Sequence, residues 1–459
     1  MESQIPAEQE NPRPWENLEE LLDRNVDEDV QSFLNEMAPA DAARCIERLD
    51  GDYRDRVLES LDAESAAELL EFLPDARGSE LLENAAPGTA AAILEELPSD
   101  EQADMLASIG PESAASILAE MDPEAARAAA DLAAYPQDTA GGLMVREFLA
   151  YQRNATVRAV IEDIRSRVDE IGDYEVQYIY VTEVNGTLTG VLRLRDLLLT
   201  HGSEAIERIM IAQPASVSVT TGLDELVDLF ESKDFLGIPV VDEANRLVGL
   251  VHRSDVDDAW DERAEQSRLK AQGIVGGEEL RSMPVLRRSR RRLSWLSINI
   301  LLNVFAASVI AAYQDTLSQV IALAVFLPII SDMSGCSGNQ AVAVSMRELT
   351  LGVLKPVDVF YVWRKELAVG ALNALVLGVL LAAAAWIWKG NPMLGGVIGV
   401  ALALNTLIAV SIGGIVPLVL KRFGMDPALA SGPILTTLTD MCGFFLVLSL
   451  AAATMEHIV

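Results

Sequence analysis

Positive charge is what this chain has too little of. Its 459 residues carry 35 lysines and arginines against 69 aspartates and glutamates. The deficit lies in one part. Residues 1–286 hold 23 basic and 61 acidic side chains, whereas Arg287–Val459 hold 12 and 8. An acidic surface of this kind cannot read nucleic acid, because phosphate contacts need cationic side chains. It attracts cations instead. Cysteine is equally sparse: Cys45, Cys336 and Cys442 are too few and too scattered for a disulfide framework and fit a reducing compartment. Three histidines (His201, His252, His457) argue against a zinc or copper centre. No phosphate loop, nucleophile–base arrangement or metal-hydrolase pattern is present, which argues against an enzyme. The Glu- and Pro-rich start lacks the basic end and apolar run of a signal peptide, and residues 1–14 are expected to be disordered.

What the C-terminal third lacks is charge of either sign. A bilayer-spanning helix needs about 20 predominantly apolar residues, and five segments meet that length. Leu293–Ala312, Leu367–Trp388 and Gly390–Leu420 carry no charge; Thr316–Ser345 carries only Asp332, and Pro427–Met455 only Asp440. Five such runs in succession are too many for the buried helices of a soluble protein. The basic residues lie in alternate loops. Arg287, Arg288, Arg290, Arg291 and Arg292 precede the first span. Arg347, Lys355, Arg364 and Lys365 follow the second, and Lys421 and Arg422 follow the fourth. Cytoplasmic loops carry the excess of Lys and Arg. The acidic part is therefore expected in the cytoplasm and the C-terminus outside, in a multi-pass protein of the cell (inner) membrane.

Residues 15–132 repeat a helical phrase. Leu58-Glu-Ser-Leu-Asp-Ala-Glu-Ser-Ala-Ala67 returns as Leu106-Ala-Ser-Ile-Gly-Pro-Glu-Ser-Ala-Ala115 and Ala119-Glu-Met-Asp-Pro-Glu-Ala-Ala126. Pro74, Pro87, Pro98, Pro111 and Pro123 mark helix starts. The spacing predicts a superhelical stack of short helices. Residues 133–260 change character. Val176–Val184 and Leu188–Leu192 read as strands around Asn185-Gly186, followed by a helix near Arg195-Asp196. The same order recurs at Ile238–Val241, Asn245, Leu247–Val251 and Ser254-Asp255, so that Gly190 and Gly249, like Asp196 and Asp255, are 59 residues apart. Two β-β-α units follow one another, and each alone would have difficulty burying its sheet.

Asp440 is the residue with the sharpest chemical meaning. A carboxylate inside a span costs roughly 2.5 kcal/mol or more, so it faces a water-filled path or a partner. No Lys, Arg or His lies in any span to pair with it. A hydrated divalent cation is the natural counterion, because Mg²⁺ takes oxygen ligands and keeps several waters. Hydroxyls at Thr436, Thr437 and Thr439 and backbone carbonyls suit it; the bland reading is an Asp bonded to neighbouring helices. In the second span Pro328, Gly335 and Gly338 are expected to break the helix at membrane depth, which is tolerated where backbone lines a cavity.

The paired units resemble a CBS-domain pair. With the helical stack before them and the spans after, the chain from about residue 18 to its end resembles the MgtE family of magnesium channels and transporters. The stretches that carry the likeness are Tyr135-Pro-Gln-Asp-Thr-Ala-Gly-Gly-Leu-Met144 and Asp426-Pro-Ala-Leu-Ala-Ser-Gly-Pro-Ile-Leu-Thr-Thr-Leu-Thr-Asp440. The resemblance implies a multidomain membrane protein: an all-α superhelical N domain (15–132), an α/β CBS pair (133–260), a plug-like connector with a basic juxtamembrane segment (261–292), and a transmembrane domain of five helices (293–459). It makes Asp440 the pore ion site. The family phrase Gly-Gly-Asn-x-Gly-x-Gln is altered here: Ser334 stands for the first Gly and Cys336 for the Asn, while Gly335, Gly338 and Gln340 match and Asp332 adds a carboxylate. It also implies regulatory Mg²⁺ at Asp100 and Asp104 in the stack, Asp224 and Asp234 in the second CBS unit, and Asp255 and Asp258 after it, with Ser254 where the family often has Asp. Gly273, Gly276 and Gly277 interrupt the connector near the membrane.

The expectation is thus a homodimeric Mg²⁺ channel in a lipid bilayer, closed from inside by Mg²⁺, with ATP a second ligand to consider at the CBS pair and no nucleic-acid partner. Two other classes stay open. One is a secondary transporter of Mn²⁺ or Co²⁺, the other a nucleotide-sensing membrane receptor. Adaptation to high salt is a separate account of the acidity.

Overall fold

The structure, a computed structural model, describes residues 13–458 except 25, 172, 173, 175, 275–282 and 284. Residues 1–12 of the expected disordered start, and Gly276 and Gly277 of the connector, lie outside the described residues. Two compact units are present, Met1–Glu262 and Arg263–Val459.

The first unit begins with ten short helices: α1 (Pro14–Arg24), α2 (Asp27–Asn35), α3 (Pro39–Ile46), α4 (Gly51–Val57), α5 (Ala63–Glu71), α6 (Asp75–Asn84), α7 (Pro87–Glu96), α8 (Ser99–Ser108), α9 (Pro111–Glu120) and α10 (Pro123–Ala133). Proline opens or immediately precedes α6 to α10. Its fixed φ suits a first turn, where the missing N–H has no helical acceptor to lose. Alternate helices pack, α5 on α7 on α9 and α6 on α8 on α10. The small pairs Ala66-Ala67 and Ala90-Ala91 are buried at these crossings and let nine- and ten-residue helices approach closely. The fully buried Arg77 donates from Nε to Glu47 at 2.7 Å and also pairs with Glu80.

The remainder of this unit is a doublet. The first sheet orders β1 (Leu149–Gln152), β2 (Tyr178–Thr182), β3 (Leu188–Arg193) and β4 (Ile211–Ala212), with α11 (Val157–Ser166), α12 (Val168–Ile171) and α13 (Leu194–Leu199) around it. The second orders β5 (Val217–Ser218), β6 (Gly237–Val241) and β7 (Leu247–His252), with α14 (Leu223–Ser232) and the start of α15 (Arg253–Ala271). In both, a parallel pair is followed by an antiparallel one. The repeat reaches fine detail. Each hairpin has a register shift, at Val181/Thr182 and at Val240/Val241, and each turn a positive φ, at Gly186 (82°) and Asn245 (58°). Gly190 and Gly249 each lie where a Cβ would strike a methionine sulfur, that of Met210 and that of Met144, at 2.4 and 2.5 Å. Tyr180, Leu188, Val241 and Leu250 form a shared core between the sheets, which relieves the burial problem that each unit has alone.

The second unit holds the end of α15, then α16 (Val285–Ala312), α17 (Gln314–Gln319), α18 (Leu323–Thr350), α19 (Val359–Lys389), α20 (Pro392–Arg422), α21 (Pro427–Ala453) and α22 (Met455–Ile458). The arginines of the basic segment form the first turns of α16. Among the described residues four helices, α16, α19, α20 and α21, are long and apolar enough to cross a membrane. The expected count was five. The fifth, α18, has 28 residues, but its serines, glycines, Asp332, Asn339 and Gln340 make it too polar to qualify by composition.

The helix break expected in that segment is corrected. α18 is helical from Leu323 to Thr350, through Pro328, Gly335 and Gly338. Pro328 supplies no N–H to the Ala324 carbonyl, and the helix continues past it. The glycine at 338 serves close crossing instead: a Cβ there would lie 3.0 Å from the Ala409 carbonyl, and one at Gly413 would lie 2.3 Å from the Gly338 carbonyl.

Candidate functional site

In the second unit α18, α20 and α21 meet around Asp440. The Asp440 side chain is 9% exposed, and Ser331 of α18 donates a hydrogen bond to its Oδ1. One turn along α18, Gly335 faces Thr439, whose hydroxyl lies 4.0 Å from the place of a Cβ. The threonines turn their protons inward. Thr437 Oγ1 donates to the Pro433 carbonyl at 2.8 Å and Thr439 Oγ1 to the Thr436 carbonyl at 2.9 Å. A hydroxyl whose proton is already donated keeps its oxygen lone pairs for a cation. Pro433 lies inside α21 and supplies no N–H, so the Leu429 carbonyl has no helical donor.

The residues named from sequence divide here. Asp440 and Gly335 share this junction of helices, while Thr437 is half-buried on α21 with the Pro433 carbonyl of its own helix as its partner. Asp332, Cys336 and Thr436 are exposed on the isolated chain. Asp332 and Cys336, one turn apart on α18, lie away from the face that carries Ser331, Ser334 and Gly338. Sequence reading missed Ser331 as the partner of Asp440. It also missed Asn405 of α20, which is fully buried and donates from Nδ2 to the Thr439 carbonyl at 3.0 Å. A polar side chain in an otherwise apolar span was the available signal for both.

The first unit holds a second carboxylate site. Asp100, in the first turn of α8, has one carboxylate oxygen buried with no hydrogen-bond partner. Burial, followed by the negative charges of Asp255 and Glu147, pushes its carboxyl up to about 7, although the backbone N–H groups of Glu101 and Asp100 itself act the other way. Asp255 is fixed at the start of α15, accepting from the His252 N–H at 3.2 Å and from the Ser254 hydroxyl at 2.9 Å. Glu147 accepts from the Ser99 hydroxyl at 2.7 Å, a contributor that sequence reading did not single out. Asp104, one turn after Asp100, accepts from Gln137 Nε2 at 2.9 Å. Asp224, Asp234 and Asp258 are exposed. Among the described residues no three His, Cys, Asp or Glu side chains converge as a preformed metal cluster. The acidic pair Asp100/Asp255 is brought together and the wider set of six is not.

Apolar helices around a buried carboxylate, joined to a helical stack and a doublet of β-β-α units, define a multi-pass membrane protein of the cation-transporting class. Comparison with known proteins agrees. Residues 327–450 match the MgtE model, described as a divalent cation transporter; residues 16–73 and 37–138 match the MgtE intracellular N domain, and 206–262 the CBS domain. The magnesium transporter MgtE of Thermus thermophilus is 35% identical over 340 residues, covering 73% of this chain and 74% of that protein. The one of Bacillus subtilis is 32% identical over 329 residues, 72% of each. A crystal structure of the cytosolic domain of the Mg²⁺ channel MgtE in complex with ATP is 33% identical and covers 53% of this chain and 99% of that one, with a TM-score of 0.49. The chain belongs to the MgtE family.

Proposed function

We propose that this protein carries Mg²⁺ across the cell membrane, with Asp440 as the ion site and with cytoplasmic Mg²⁺ closing the path. One observation carries the reading: a carboxylate buried where three helices meet, with the Ser331 hydroxyl as its partner and no Lys, Arg or His paired with it among the described residues. A dehydrated Mg²⁺ is unfavourable, so the site serves a partly hydrated ion held by Asp440, by threonine oxygens and by water. All five long helices cross the bilayer in this reading, the acidic unit is cytoplasmic, and the boundaries 15–132, 133–260, 261–292 and 293–459 separate working parts. Two copies assemble, so that the exposed Asp332, Cys336 and Thr436 face the partner and the path rather than lipid.

Regulation follows from repulsion. Without a cation the Asp100, Asp255 and Glu147 charges oppose one another, and Asp104, Asp224, Asp234 and Asp258 add to the negative charge of the unit. Mg²⁺ bridges them and compacts the unit, which is a ligand-driven population shift. Two contacts support a role for the connector in transmitting it. Lys270 near the end of α15 reaches Asp426 at 3.4 Å, and Asp426 caps α21, the helix of Asp440, by accepting from the Ala428 N–H at 2.9 Å. Gly273, at φ +80°, lies where a Cβ would strike the Trp295 indole at 2.2 Å. ATP at the CBS pair would be a further input to the same switch.

Uptake of isotopic Mg²⁺ into liposomes tests the reading, run in parallel with Mn²⁺ and Co²⁺ and with and without Na⁺ or pH gradients. Passive Mg²⁺ uptake that vanishes in Asp440→Ala is expected. Mg²⁺ uptake equal to the parent's in an inserted Asp440→Ala protein overturns it, and uptake only under a gradient favours a coupled transporter.

A further inference from the structure

Three buried side-chain groups in the second unit have no hydrogen-bond partner among the described residues: Ser334 Oγ, Asn405 Oδ1 and Thr406 Oγ1. Asn405 is the informative one, because half of its amide is firmly engaged. Nδ2 donates to the Thr439 carbonyl at 3.0 Å, one residue before Asp440. The reverse orientation would set two carbonyl oxygens against each other, so the engaged end is the NH₂. Gly443, one turn beyond Thr439, makes room for it: a Cβ at 443 would lie 2.7 Å from Nδ2 and 3.5 Å from the Ile330 side chain of α18. The amide is thus wedged between α20 and the Asp440 turn of α21, with its oxygen buried and lacking a donor.

A buried carbonyl oxygen without a donor is costly, more so in a low-dielectric setting than in water. The donor that fits a cation path is water polarised by the cation, since Mg²⁺ retains several waters when protein binds it. We infer that Asn405 is a positioning residue for the ion: its NH₂ fixes the Thr439–Asp440 turn, and its oxygen accepts a hydrogen bond from the water shell of the divalent cation at Asp440. This rests on the reading of Asp440 as the ion site. A shell-reading group discriminates among ions by their hydration. Ca²⁺ is larger and holds its ligands at 2.3–2.6 Å, against 2.0–2.1 Å for Mg²⁺, so it presents its waters elsewhere.

The test uses the full chain in liposomes and measures initial Mg²⁺ uptake, the Mg²⁺:Ca²⁺ uptake ratio, and insertion. Asn405→Leu removes both amide contacts at similar size, and Asn405→Ser leaves room for water but cannot span to the Thr439 carbonyl. Both should insert, lose Mg²⁺ uptake about tenfold and lower the Mg²⁺:Ca²⁺ ratio. A parental ratio in either inserted variant overturns the inference, whatever happens to the rate, because a purely structural amide changes the amount of working protein and not its choice of ion. Failure of both to insert also overturns it, since Asn405 would then be a folding residue. Asp440→Ala is assayed alongside. If it conducts normally, the ion-site reading falls; if it is inactive while Asn405→Leu keeps the parental ratio, only the inference about Asn405 falls.

Discussion

Carboxylates are plentiful in one unit and rare in the other, and their worth runs opposite to their number. The first unit carries 58 of them and the second 11. Most are exposed, and an exposed charge contributes little singly because water and salt screen it. Asp100 differs, because one of its carboxylate oxygens is buried and its neighbours Asp255 and Glu147 are also acidic. In the second unit Asp440 stands at a helix junction with Ser331 as its partner, where few other charges share its task. A dense acidic surface acts through sums and differences of charge, whereas a buried carboxylate acts alone.

Replacing Asp440 should therefore produce the largest change of any acidic substitution. Asp440→Asn keeps size and a carbonyl oxygen yet removes the charge, and a loss of Mg²⁺ uptake of roughly 100-fold matches the ~2.5–3.5 kcal/mol attached to a charge at membrane depth. Glu112→Gln, at an exposed carboxylate of the first unit, should change uptake by less than twofold in the same liposomes. Equal effects would erase the distinction between the two regions.

Ser331→Ala comes next. A hydrogen bond to a charged group contributes about 1.5–3 kcal/mol. The variant should lose roughly tenfold in uptake at low Mg²⁺ and recover at high Mg²⁺, because the carboxylate remains. Loss that no Mg²⁺ concentration repairs would give Ser331 a role in folding.

In the first unit the effects should be graded and pH-dependent. Asp100 is held up at about 7 in the folded protein, against about 3.9 in an unfolded chain. Between those values the folded form binds the extra proton, so without divalent cation stability falls as pH rises from 4 towards 7 and levels off above it. Mg²⁺ competes with that proton, so its stabilising effect on melting should be larger at pH 8 than at pH 6. Asp100→Asn should flatten both trends. A parental pH slope in that variant would move the shifted group elsewhere.

The smallest expected effect separates sensing from salt adaptation. Asp255→Asn with Asp258→Asn should raise several-fold the Mg²⁺ needed to protect the first unit from protease, with the asparagine at 255 still able to accept the His252 N–H. Neutralising the exposed Glu112 and Glu120 should leave that midpoint in place. If ionic-strength-matched K⁺ protects as well as Mg²⁺ does, the acidity is an adaptation to salt and no sensor remains.

The sequence by itself determined the large features. Proline spacing set the starts of α6 to α10, the 59-residue offset set the paired sheets down to Gly190 and Gly249, and uncharged runs set the long helices. These are local or periodic properties, readable from composition and spacing. Asp440 was legible for the same reason, as a charge where charge is expensive. Only the tertiary structure decided what meets it. Ser331, Asn405 and Asp440 are separated by 74 and 35 residues in the chain, and serine or asparagine within a span carries no mark of which helix it will face. Tertiary structure also decided that Gly338 serves a close helix crossing rather than a break, because the backbone of α20 lies where its side chain would be. It likewise joined Asp100 to Asp255 and left Asp224, Asp234 and Asp258 on the surface. Charge can be counted along a chain, but its free energy depends on burial and on neighbours, and both exist only after folding.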